Sequence, residues 1–399
     1  MDAASSPFNR LRVDQVGSLV NPPELLEAFR AFETGSLREE QLQSFQDQAI
    51  AASLKMQEQI GFPILTDGEM RRRNFQDSFG NSVSGYEPPT APSYEELLSR
   101  ITQQPFARAE QDFAASGPAI VTRRPATSRL ALKTNLPLEE YKFAMARTRK
   151  PVKATLLSAD RIVQRFAYET SKAAYPGGRE EFLADVVKIS RTMIQQLVDA
   201  GCRYIQIDAP GYTAYVDEVS LQRMRDRGEN PKENLAMSIA ADNAAIEGFE
   251  GVTFGIHLCR GNARTRDPVT GKLAAQFHRE GAYDAVAEEL FGTLNHERWL
   301  LEYDSDRSGG FEPLRYLSKS SVAVLGLVTT KSADLEPIDM LKRRIDDASR
   351  FTTVDQLAIS PQCGFGGFGH PTMSQDEQWR KLERLREVAE EIWNDAAGS

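Results

Sequence analysis

The stretch Val252-Thr253-Phe254-Gly255-Ile256-His257-Leu258-Cys259 is an apolar run that ends in an imidazole and a thiol two residues apart. Its length and composition suit a fully buried strand, and the two-residue period of a strand turns His257 and Cys259 to the same face. Seven further runs of this kind lie at residues 11–17, 62–66, 152–157, 204–208, 299–303, 322–327 and 356–359. Each of the last six of the eight is followed by a helix-like stretch, for example 231–246, 284–294, 337–350 and 375–393. Eight buried strands that each need a crossover helix predict an α/β fold, a parallel sheet closed into a (β/α)8 TIM barrel. An open doubly wound sheet is the competing architecture, but no G-x-G-x-x-G follows the first run.

Residues 81–150 fit the alternation poorly. Rich in Pro, Ser and Thr at first, they then offer short strands at 119–122 and 130–133, which predicts a hairpin-like excursion from the barrel. The expectation is a single domain over 1–399 with this insertion.

With 41% hydrophobic and 26% charged residues, the composition is that of a globular protein. A net charge of −9 argues against nucleic acid as a partner. No run of eighteen apolar residues suggests a membrane span, and residues 1–10 carry no apolar core of signal-peptide length. The expected setting is cytoplasmic. Three scattered cysteines do not make a disulfide framework.

Two of those cysteines fall at the ends of strand-like runs. His257 and Cys259 end one run, Glu302 ends the next, and Cys363 follows the last in Ser360-Pro361-Gln362-Cys363-Gly364. In a barrel the strand ends converge on one rim. One imidazole, two thiolates and one carboxylate can therefore surround a single Zn2+. A shell of three anionic groups suits the binding of a thiol as thiolate, and Glu302 is the ligand a substrate thiol would most readily displace, hence a catalytic candidate. Cys202, in Asp199-Ala200-Gly201-Cys202-Arg203, reads as a small core residue. His278, His296 and His370 have no cysteine beside them and sit in polar segments, although His370 follows a glycine-rich loop, 364–369, that reads as a lid over the metal.

Other strand ends carry acids. Asp208 ends Tyr204-Ile205-Gln206-Ile207-Asp208, and Asp67 and Glu69 follow the run 62–66. A helix cap is the alternative role for Asp208, and the Arg71-Arg72-Arg73 run beside Glu69 can be read as a solvated charge cluster. The functional reading has Asp208 and Glu69 holding a substrate ammonium while a backbone N–H near Ser18 holds its carboxylate.

These motifs, together with Val16-Gly17-Ser18, Leu325-Gly326-Leu327-Val328-Thr329-Thr330-Lys331 and Glu302-Tyr303-Asp304, run through nearly the whole chain. They resemble the C-terminal catalytic barrel of the cobalamin-independent methionine synthases, and still more the short single-barrel proteins related to it. The resemblance implies a catalytic zinc on His257, Cys259, Glu302 and Cys363. It also implies homocysteine contacts at Ser18, Glu69 and Asp208, with methyl transfer from methyltetrahydrofolate or a simpler donor to homocysteine. The chain departs from the long synthases in two places. Val328-Thr329-Thr330 stands where they carry an acid-base histidine, and Ala209 where they carry an acid after Asp208. The N-terminal barrel that helps hold a polyglutamylated folate has no counterpart in the resemblance, so the donor stays open. Two alternatives stand beside this reading. One is a thiol alkyltransferase of the epoxyalkane:coenzyme M transferase type, and the other is a non-catalytic zinc-stabilised binding protein.

Overall fold

Parallel pairing of the apolar runs decides the architecture. In a computed structural model describing residues 7–87, 125–261, 264–266, 273–275, 279–366 and 373–394, six strands form one parallel sheet. With strands numbered along the chain, β1 (Val83–Tyr86) and β2 (Ala126–Leu132) form an antiparallel hairpin apart from that sheet. The sheet itself contains β3 (Ala154–Leu157), β4 (Tyr204–Asp208) and β5 (Thr253–Leu258). Two short antiparallel strands, β6 (Arg264–Arg266) and β7 (Leu273–Ala275), interrupt the series before β8 (Arg298–Glu302), β9 (Val322–Val328) and β10 (Leu357–Pro361). The order across the sheet is β10-β9-β8-β5-β4-β3.

Runs 11–17 and 62–66 complete the barrel at its two edges. Val13 bridges Ile359 of β10 and Leu65 bridges Val152 just before β3, both in parallel. The two runs meet each other through the Leu19 N–H on the Gly68 carbonyl (3.0 Å), the Thr66 hydroxyl on the Gly17 carbonyl (2.8 Å) and the Gln15 amide on the Ile64 carbonyl (3.1 Å). Eight parallel segments thus close into the (β/α)8 barrel that the sequence predicts.

Crossover helices follow most segments, including Glu39–Ile60, Leu136–Met145, Gly178–Asp199, Pro231–Ile246, Ile338–Ala348 and Gln375–Trp393. The connection after β8 departs from expectation. It contains only the 3-10 turns Asp306–Ser308 and Glu312–Tyr316, because Gly309, Gly310 and Pro313 interrupt any longer helix. The excursion from the barrel is the β1–β2 hairpin, and helix Leu136–Met145 packs back against β3 as an ordinary crossover. The strand expected at 119–122 lies outside the described residues.

Two-residue periodicity sorts the barrel interior into layers. Tyr204, Gln206 and Asp208 alternate along β4, and Arg298, Leu300 and Glu302 along β8. At the N-terminal end, Asp14 is fully buried between Lys153 Nζ (2.8 Å), Arg298 (3.1 Å) and the Tyr204 hydroxyl (2.7 Å). Despite burial, the two cations hold its carboxyl below the usual range. Against this polar floor packs a small apolar cluster of Val16, Leu300, Val322, Val324 and Ala358. The next layer, at the C-terminal rim, carries Asp208, His257 and Glu302. No helix among the described residues is long and apolar enough to cross a membrane.

Candidate metal centre

β5 places His257 at the rim and Cys259 one step past its end, while Cys363 lies two residues beyond β10. One ligand atom from each of these three residues falls within 4.8 Å of the other two. His257 is only 3% exposed, and its Nδ1 lies 3.2 Å from the Leu300 carbonyl of the neighbouring strand. A carbonyl can only accept, so Nδ1 carries the proton and the Nε2 lone pair is left over. Nε2 is buried and has no hydrogen-bond partner. A backbone carbonyl fixing one imidazole nitrogen while the other faces two sulfurs is the arrangement of a metal-binding histidine.

The sulfurs divide one proton. The Cys363 thiol pulls Cys259 well below the ordinary thiol range, against burial and with help from His257. Cys363 is pushed well up, first by Cys259 and then by burial. His257 is raised despite burial because Cys259 stands beside it. One imidazole nitrogen and two sulfurs in such reach form a donor set that suits Zn2+.

Glu302 stands beside this cluster and outside it. Its Oε2 accepts the Arg260 N–H (2.6 Å), while Oε1 faces Lys331 Nζ (3.1 Å) and the Arg307 guanidinium. Lys331 also reaches Asp304 (2.7 Å). Two cations and a backbone N–H hold the carboxylate where the sequence suggested a fourth metal ligand.

The proposed substrate contacts meet in one place. Ser18, Glu69 and Asp208 line the same cavity of about 510 Å3 as His257, Cys259 and Cys363. Asp208 caps no helix; it accepts the Gln206 side-chain amide (2.7 Å) and is pushed up to about 7 by burial and then by Glu69. Glu69 is likewise raised by burial, although Arg72 lowers it, and it adopts a left-handed φ of 56° that a non-glycine residue reaches at a cost. Gly364 comes so close to Ser18 that a Cβ there would lie 1.9 Å from the Ser18 hydroxyl oxygen, and the Phe365 N–H donates to the Ser18 carbonyl (2.9 Å). The loop carrying Cys363 is thereby seated on the first strand end.

Arg71, Arg72 and Arg73 are not a solvated cluster. Arg72 is buried and binds Glu140 (2.6 Å), Glu69 (3.1 Å) and the Thr155 hydroxyl (2.9 Å). Arg71 pairs with Asp47 (2.5 Å) and Arg73 with Glu33 (2.9 Å). Consecutive residues in a tight turn point in different directions, and only the second meets the interior. Lys331, Arg307 and Arg161 also belong to the site. Lys331 lay in a quoted motif, but no spacing tied it to Glu302. His278, His370 and residues 367–369 of the glycine-rich loop lie outside the described residues. Cys202 is a core residue; its thiol donates to the Tyr204 carbonyl (3.3 Å) and burial pushes it up to about 12.

A parallel (β/α)8 barrel with imidazole and thiol donors gathered at its C-terminal mouth sets the chain in the class of α/β barrels whose strand ends could hold a metal. Within that class the chain belongs to the cobalamin-independent methionine synthase family; residues 13–262 match its "Cobalamin-independent synthase, Catalytic domain" model. The chain is 34% identical to the uncharacterized protein YxjG of Bacillus subtilis, over 96% of this chain and 94% of that one. It is 23% identical to the methionine synthase of Pyrococcus abyssi, over 88% and 84%. Among solved structures it resembles in fold the putative vitamin-B12 independent methionine synthase from Listeria monocytogenes, with a TM-score of 0.70 and 24% identity over 98% and 99% of the chains. Membership makes the protein a methionine synthase-like methyltransferase.

Proposed function

We propose that this protein is a zinc-dependent S-methyltransferase whose preferred acceptor is homocysteine and whose product is methionine. The methyl comes from methyltetrahydrofolate or a simpler donor. The reading takes residues 1–399 as one barrel with an insertion around 81–150. The observation that carries it is the orphaned His257 Nε2, buried within reach of two cysteine sulfurs on the wall of a cavity.

His257, Cys259 and Cys363 would hold the metal, with Glu302 beside them as the exchangeable fourth ligand. Zinc so held would lower the pKa of a substrate thiol and fix its sulfur for attack. The remaining work falls to the protein. Asp208 and Glu69 share the adjoining wall; Glu69 divides Arg72 with Glu140 and Asp208 makes no ion pair among the described residues, so a substrate ammonium would supply the missing positive charge. The Ser18 N–H, which has no acceptor among the described residues, is the donor for the substrate carboxylate. These contacts fix the acceptor by both its charged ends, so that its sulfur meets the methyl carbon in line. Lys331 and Arg307 pair with the Glu302 carboxylate, so its buried charge would stay compensated whether or not it ligated the metal.

The test begins with metal content. Protein purified without chelator is expected to carry near-stoichiometric zinc, and the Cys259→Ser/Cys363→Ser double variant to lose it. Zinc retained by that variant would remove the site. Zinc-loaded enzyme is then given homocysteine with several methyl donors and methionine is measured. If no donor yields methionine while coenzyme M consumes an epoxide, the alkyltransferase reading replaces this one. Arginines among the residues that line the cavity are the observation that favours that second reading.

A further inference from the structure

The cavity carries both signs of charge: its lining includes Glu69, Asp208 and the metal donors, and also Arg161, Arg165 and Arg279. Arg161 is the unusual member. It is 9% exposed, and its Nε donates to the side-chain amide oxygen of Gln76 (3.0 Å). Gln76 is itself buried and fixed by Asn74 through its own N–H and its side-chain amide (3.0 and 3.2 Å). Anchoring Nε sets the plane of the guanidinium. Among the described residues no acceptor meets its two terminal nitrogens, and Arg161 lines the cavity.

Asp160 and Cys259 offset its charge in part, but neither hydrogen-bonds its terminal nitrogens. Asp160 gives its carboxylate to the Gln164 amide (3.2 Å) and the Tyr215 hydroxyl (3.2 Å). Arg279 is held by the Pro210 carbonyl and the Thr213 hydroxyl (3.1 Å), with its charge still close to Arg161. Burial, then Arg165 and Arg279, push the Arg161 guanidinium well below its ordinary range. A buried cation among like charges is costly unless something anionic completes it.

We propose that Arg161, flanked by Arg165 and Arg279, is the seat of an oxyanion group (phosphate, sulfonate or carboxylate) on the methyl donor. The inference rests on the methyl-transfer reading for the word donor alone. Three guanidinium groups exceed what the single carboxylate of an amino-acid thiol requires, and that carboxylate already has the Ser18 N–H. A cavity of about 510 Å3 also has the size of a site for a drug-sized ligand. The donor is therefore a molecule that carries its methyl toward the sulfur and its negative charge toward Arg161.

Inorganic phosphate is the probe, titrated calorimetrically into protein as purified at low ionic strength. Arg161→Gln should weaken phosphate binding about tenfold or more, the loss expected for a charge-assisted hydrogen bond, and Arg161→Lys should restore part of it. Without phosphate, Arg161→Gln should melt no lower than wild type, since it relieves like-charge crowding; phosphate should raise the melting temperature of wild type and not of the variant. Should Arg161→Gln fold poorly, Arg165→Gln carries the same titration. Phosphate binding unchanged by both substitutions would overturn the proposal. Homocysteine is titrated as well. Its affinity should be unchanged in Arg161→Gln, and a tenfold loss there would give the seat to the acceptor's carboxylate and overturn the assignment to the donor. Phosphate binding needs neither zinc nor turnover, so a protein that holds no zinc would defeat the methyl-transfer reading while this titration still reports on the seat.

Discussion

At the scale of single residues, the decisive information is which atom of a side chain is already spent. His257 has its Nδ1 on the Leu300 carbonyl and no hydrogen-bond partner at Nε2, the state in which an imidazole can ligate a metal. His296 shows the opposite case. The sequence sets it in a polar segment, yet it is 2% exposed beside Trp299, and burial drives its pKa down to about 3. An unfolded histidine titrates near 6.5. The folded chain therefore binds fewer protons than the unfolded one between these values, and the stability that neutral His296 contributes is present above about pH 6.5 and lost as pH falls toward 3. From pH 6.5 to 4.5 this residue alone should remove about 2–3 kcal/mol. His296→Leu should show a shallower loss over that window in urea unfolding at several pH values; parallel pH profiles would contradict the buried neutral imidazole.

At the scale of elements, the strands were legible and several junctions were not. Apolar runs of four to seven residues read from the chain coincide with β4 and nearly with β3, β5, β8, β9 and β10, because burial on both faces removes polar residues along their length. Residues 11–17 and 62–66 join through single bridges rather than long ladders, a difference no composition records. The missing helix after β8 was signalled by Gly309, Gly310 and Pro313 but masked by the regular alternation around it. Gly326 in β9 shows how tightly these elements meet. A Cβ there would stand 2.7 Å from Gln362 Cα and 2.8 Å from the Leu301 carbonyl oxygen, both backbone atoms. Gly326→Ala must therefore part β9 from its neighbours, at about 3 kcal/mol. Since Gln362 adjoins Cys363, the same variant should also bind zinc more weakly. A stability and zinc affinity equal to wild type would contradict this packing.

At the scale of the whole molecule, the barrel gathers charges that the sequence scatters. Arg72 lies beside the second strand end, Glu140 in a crossover helix and Thr155 in β3, and they meet beneath the cavity with Glu69. Burial, eased by Arg72, pushes Glu140 up to about 8. Arg72→Met leaves two buried acids without their cation and should cost roughly 3–5 kcal/mol, whereas Arg72→Met/Glu140→Met should recover most of that. Thermal or urea unfolding of both variants measures the difference; equal losses would mean that packing rather than charge holds this joint. The sequence by itself determined the number of strands, their parallel sense and the scarce residues at their ends, because burial and two-residue alternation act on each segment locally. Only the tertiary structure decided which of these residues meet. It set His257, Cys259 and Cys363 together, turned Glu302 toward Lys331 and Arg307, buried Arg72 away from solvent and left Arg161 facing the cavity, because each depends on distances between segments far apart in the chain.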